Sequence, residues 1–85
     1  MEPEIHPNAL KHLSRAEVLQ AWGSVTKSIM RESPQEPPRW LMVGWLADGR
    51  DVELIAVSGW LVIHAMAPVQ SKFAREIEDT ERRSR

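Results

Sequence analysis

The 85-residue chain has no cysteine, so neither a disulfide nor a thiolate metal site can reinforce it. It has no apolar run of the ~18 residues that a membrane-spanning helix requires. It lacks a charge excess: the net charge of −1 argues against a broad basic face for nucleic acid, though not against a local basic cleft. Glycine is sparse, and Gly23, Gly44, Gly49 and Gly59 are singletons, so no glycine-rich phosphate loop exists. The histidines do not follow zinc-site spacing, and no serine sits in a nucleophile elbow. Met1-Glu2-Pro3-Glu4 is acidic and carries no apolar signal core, so a cytoplasmic location with no membrane association is expected.

What is present is 42% hydrophobic residues and four tryptophans, enough for one domain spanning 1–85. A domain of this size buries only about 60% of its unfolded surface, so its stability margin is thin. Each tryptophan adds a large apolar area and needs an acceptor for its indole N–H when buried.

Residues 1–7 read as an extended arm, and Asn8 to His12 as one helical turn. Ser14-Arg15-Ala16-Glu17 has the capping-box pattern and opens a helix expected at 14–23. Val18, Leu19 and Trp22 would form its inner face, and Gly23 would end it in the left-handed conformation. Residues 25–32 read as an edge strand. Ser33 to Pro38, rich in proline, predicts a mobile loop outside the sheet. Residues 39–47 are apolar on both faces, as a covered central strand would be. Asp48-Gly49 signals a hairpin, 51–57 the next strand, Ser58-Gly59 a second turn and 60–67 the last strand. Pro68 is expected in the first turn of a final helix with the stripe Val69, Phe73 and Ile77. From Glu78 the chain turns polar, and 81–85 is expected to fray. The fold class is α+β: an N-terminal helix, a four-stranded antiparallel meander and a C-terminal helix.

His64 is the foremost candidate for chemistry. It is expected on a strand face shared with Trp60, Val62 and Met66, either as a general acid or base or as a core histidine satisfied by backbone or water. Lys11-His12, ahead of the capped helix, suits phosphate contact but equally an ordinary solvated pair. Lys72 and Arg75 lie near the end of the His64 strand. The remaining charges of that helix read as a solvated face. Glu53 can pair with His64 if both share a face, although an exposed strand glutamate is the commoner case. Trp40, Trp45 and Trp60 fall in expected strands and read as core rather than as base-stacking platforms.

The motif order resembles a known family. Asn8-x-x-Lys11-His12 followed by Ser14-Arg15-Ala16-Glu17 resembles the N-terminal stretch of BrnT-type toxins. Val43-Gly44-Trp45-Leu46-Ala47-Asp48-Gly49-Arg50 resembles their hairpin. Leu61-Val62-Ile63-His64-Ala65-Met66 and the charged helix after it resemble their last strand and helix. The resemblance covers residues 8–80. It implies a RelE-like fold and a toxin of a type II toxin–antitoxin pair that cleaves RNA without metal or cofactor. It also implies a DNA-binding antitoxin as partner, joined in a hetero-oligomer. By this resemblance Lys11 and His12 match directly. His64, with Lys11, His12 and Arg75, is expected to be catalytic, and Lys72 and Arg50 are weaker substrate contacts. The departures are Leu13 in place of the family glycine, Trp45 and Met66 in place of arginines, His64 in place of serine, and a less basic final helix. They leave open a second reading: a catalytically degenerate RelE-like domain serving as an interaction module.

Overall fold

The computed structural model describes residues 2–34 and 36–83. Its elements are β1 (Glu4–Ile5), a 3-10 helix (Pro7–Leu10), α1 (Arg15–Trp22), β2 (Lys27–Ser33), β3 (Glu36–Trp45), β4 (Asp51–Val57), β5 (Leu61–Met66) and α2 (Ser71–Arg83). The strands form one five-stranded sheet in the order β1-β5-β4-β3-β2. β2 to β5 are the expected antiparallel meander, and β1 adds a strand parallel to β5, so the sheet is mixed. The expected arm at 1–7 is therefore in part a strand. The Glu4 N–H donates to the Trp60 carbonyl at 3.0 Å and the His6 N–H to that of Val62 at 2.8 Å. A strand this short has no periodicity to read; its partner, far along the chain, defines it.

α1 begins where the capping box places it. The Glu17 N–H donates to the Ser14 hydroxyl at 3.2 Å, and the Glu17 carboxylate accepts from the Ser14 N–H at 2.9 Å. These bonds hold the Glu17 pKa below the ordinary glutamate value. Gly23 does not take the expected left-handed conformation: its φ is −73°. The Ser24 hydroxyl supplies the termination instead, bonding the Gln20 carbonyl at 2.9 Å and accepting from the Trp45 N–H at 3.0 Å. α1 lies directly on β3 at Gly44, where an added Cβ would sit 2.1 Å from the Ala21 carbonyl oxygen.

Three further expectations are corrected. β3 runs through Pro37 and Pro38, which lie between the β2 pairs Arg31↔Arg39 and Ser33↔Glu36 and before pairing with β4 starts at Arg39. No ladder N–H is required of a proline there. Of the expected 33–38 loop, Gln35 lies outside the described residues. Pro68 precedes α2 rather than opening it, since the helix starts at Ser71. α2 then continues through Arg83 instead of fraying, while Ser84 and Arg85 lie outside the described residues.

The sheet is covered on both faces. On one side α1 and the 3-10 helix bury Val18 and Ala21 against Met42, Val52, Leu54 and Val62. On the other, Phe73 and Ile77 of α2 pack on Ile29 and Leu41 as the stripe predicts, while Val69, expected in the same helical stripe, lies before α2 and packs beside them from the connection. Trp60 is not in a strand. It sits in the β4–β5 turn with φ 59°, 36% exposed, against Trp22 and Trp40 at ring distances of 5.6 and 5.9 Å. Trp45 is likewise exposed rather than core. Among the described residues no helix is long and apolar enough to cross a membrane.

Candidate functional site

The site is made by an irregularity. β4 pairs Ile55 with His64 but Ala56 with Val62, so Ile63 is an extra residue in β5. Such a bulge re-aims the side chains after it. Val62 joins the core on the α1 side. His64 and Met66, paired with Ile55 and Glu53, go to the α2 side. The face expected to be common to Val62, His64 and Met66 is thus split.

Alternation along β4 sends Val52, Leu54 and Ala56 to the α1 side and Asp51, Glu53 and Ile55 to the α2 side. Glu53 is only 3% exposed, so the reading of it as an exposed strand glutamate is wrong. Burying a carboxylate is costly unless its oxygens are hydrogen-bonded. Both are: Oε1 accepts from the Gln70 N–H at 2.8 Å, and Oε2 lies 2.7 Å from Nε2 of His64. Two residues earlier on the same face, Asp51 Oδ1 accepts from the Val69 N–H at 3.0 Å. Together these carboxylates hold the segment that leads into α2.

The bond from Glu53 decides which imidazole nitrogen is available. An ionised carboxylate only accepts, so Nε2 of His64 carries the proton and, in the neutral ring, Nδ1 carries the lone pair. The His64 side chain is 34% exposed, within reach of solvent or a ligand. A histidine oriented by a buried carboxylate through one nitrogen can take a proton at the other.

The other candidates are distributed unevenly. His12 lines a depression of about 460 Å³ with Met66, Pro68, Gln70 and Ser71, against the connection that Glu53 holds. Lys11 is exposed at the end of the 3-10 helix, and Lys72 and Arg75 are exposed on α2. Arg50 is held in ion pairs, 2.8 Å from Asp48 and 3.5 Å from Glu17, and ties the β3–β4 hairpin to α1. Among the described residues, none of these cations is bonded to His64 or Glu53. The sequence candidates do not include Asp51, and Glu53 reads from sequence first as an exposed strand glutamate. The signal for both was the alternation in β4, which gave them a face that the Val69, Phe73 and Ile77 stripe was bound to cover.

Among the described residues no cluster of His, Asp and Glu is arranged to hold a metal ion. Comparison with family models, with curated proteins and with solved structures returns no match to this chain.

Proposed function

We propose that this chain is a cytoplasmic, metal-independent endoribonuclease with a RelE-like, BrnT-like fold, the toxin of a toxin–antitoxin pair. The observation that carries the reading is the buried Glu53 carboxylate on Nε2 of His64, which leaves Nδ1 as a positioned base. In the reaction the 2′-oxygen of a ribose bonds to the adjacent phosphorus and its proton passes to Nδ1 of His64. The P–O5′ bond breaks, and O5′ leaves with a proton from water. A 2′,3′-cyclic phosphate and a 5′-hydroxyl result. His12, on the neighbouring depression, contacts phosphate, and Lys11, Arg75 and Lys72 add positive potential as the strand approaches.

The test is to incubate the purified protein with RNA in a chelator and to assay for cyclic-phosphate ends. Wild-type protein cleaves, and His64→Ala lowers the rate by about 10²–10⁴-fold, the usual worth of a positioned general base. RNA that stays intact, from a protein whose expression leaves growth unchanged, overturns the reading.

A second reading is favoured by one observation. Trp60, a bulky residue in the left-handed region, displays its ring at the surface beside Trp22 and Trp40. That conformation costs roughly 1–2 kcal/mol in an L-residue, and such strain often marks a functional surface. In this reading the domain binds a protein partner and cuts nothing. Tight binding of an antitoxin by a protein without ribonuclease activity, lost on Trp60→Ala, would select it.

A further inference from the structure

β1 delivers another histidine to the His64 strand. Its register pairs Glu4 with Leu61 and Ile5 with Val62, and the His6 N–H donates to the Val62 carbonyl at 2.8 Å, so His6 follows the last paired residue at the level of Ile63, the bulged residue just before His64. Ile5 packs into the α1-side core. His6 is extended, at φ −71° and ψ 144°, so strand alternation turns it to the other face. Glu53 and His64 occupy that same face.

The protonation of the two rings is complementary. Nδ1 of His6 accepts the Asn8 N–H at 3.0 Å. An accepting nitrogen carries no proton, so the ring hydrogen of His6 is on Nε2. His64 donates through Nε2 to Glu53 and keeps a lone pair on Nδ1. One imidazole is set as a donor and the other as a base.

We propose that His6 is a second catalytic residue of the site, giving its Nε2–H to a non-bridging oxygen of the scissile phosphodiester. This rests on the ribonuclease reading above. As the O2′–P bond forms and His64 takes the 2′-proton, negative charge grows on the non-bridging oxygens. A donor aimed at that charge is worth more in the transition state than in the bound substrate. His6 keeps its proton throughout; O5′ still leaves with a proton from water.

The competing role for His6 is structural, as the cap of the 3-10 helix. His6→Asn separates the two, because the asparagine oxygen is itself a good cap acceptor while the Nε2–H is lost. The expected result is an unchanged melting temperature with a roughly 10²-fold fall in kcat. Wild-type kcat in His6→Asn overturns the proposal. Imidazole ¹⁵N–¹H spectra with added inorganic phosphate provide a readout independent of cleavage. Phosphate should perturb both His6 Nε2 and His64 Nδ1, and His6→Asn should weaken phosphate binding at least about tenfold, as loss of one charge-assisted bond would. Phosphate that perturbs His64 alone, or neither ring, overturns the inference whatever happens to RNA. Both rings perturbed while RNA stays intact supports His6 as an anion donor and overturns the ribonuclease reading alone.

Discussion

The two faces of the sheet solve different problems. On the α1 side apolar side chains meet a helix so close that β3 can carry only glycine at position 44. On the α2 side the apolar cluster is smaller, and polar contacts share the docking: Asp51 and Glu53 on the backbone of Val69 and Gln70, and Arg31 on Glu76. The first face is organised for stability. The second spends part of its area on groups that must be desolvated, oriented and, at His64, left within reach of solvent. A small domain with a thin stability margin keeps such groups only beside a core that can carry the cost.

That contrast can be broken or sharpened by experiment. Gly44→Val should be the most damaging change, because its Cβ cannot coexist with the Ala21 carbonyl 2.1 Å away. A loss of about 3 kcal/mol or more in urea unfolding is expected, at the upper end for overpacking. A stable Gly44→Val protein would mean that α1 is free to shift. Leu54→Ala, at a fully buried position on the same side, should cost about 3 kcal/mol.

Glu53→Gln probes the other face. The amide oxygen can still accept from Gln70, but its NH₂ group would face Nε2 of His64 and drive the imidazole proton to Nδ1. Stability should fall by only about 1 kcal/mol, while RNA cleavage drops by about 10²-fold or more, because the base now presents the wrong tautomer. Equal losses of stability and activity would reduce Glu53 to a structural clasp. Ser14→Ala removes the helix cap and should cost about 1 kcal/mol with cleavage unchanged.

The smallest effect is expected at Glu76. Its bonds from Arg31, at 2.6 Å to the guanidinium Nε, hold its pKa below the ordinary value of 4.5. The pair is partly exposed, so its worth is about 0.5 kcal/mol. A carboxylate whose folded pKa is depressed stabilises the fold above its unfolded pKa. That stabilisation disappears as pH falls through the folded value. Urea midpoints for wild type and Glu76→Gln should therefore differ at pH 7 and converge as the pH drops well below 4.5. A gap that persists in acid would assign the effect to something other than the ion pair.

Much of the framework was legible locally. Ser14 and Glu17 marked the start of α1, Asp48-Gly49 the β3–β4 hairpin, and Phe73 and Ile77 the buried side of α2. The site was legible only in fragments. His64 stood out as an ionisable residue among apolar neighbours, but its face was misassigned because nothing in Leu61-Val62-Ile63-His64 announces a bulge. Pro37 and Pro38 signalled a loop, since composition cannot show that their N–H positions fall where no partner strand needs them. The cations Lys11, Lys72, Arg75 and Arg50 read as one group by charge, yet Arg50 was already committed to Asp48 and Glu17.

The sequence by itself determined the elements whose causes lie within a few residues: caps between positions three apart, turns at glycine, and stripes at strand or helix period. Only the tertiary structure decided what those elements bring together. It buried Glu53, turned His64 toward it, and tied His6 to the His64 strand by its backbone, through a parallel strand contributed by the other end of the chain. The physical reason is that a bulge and a parallel pairing are stabilised by hydrogen bonds to distant strands. Their energies are written into no local window of residues.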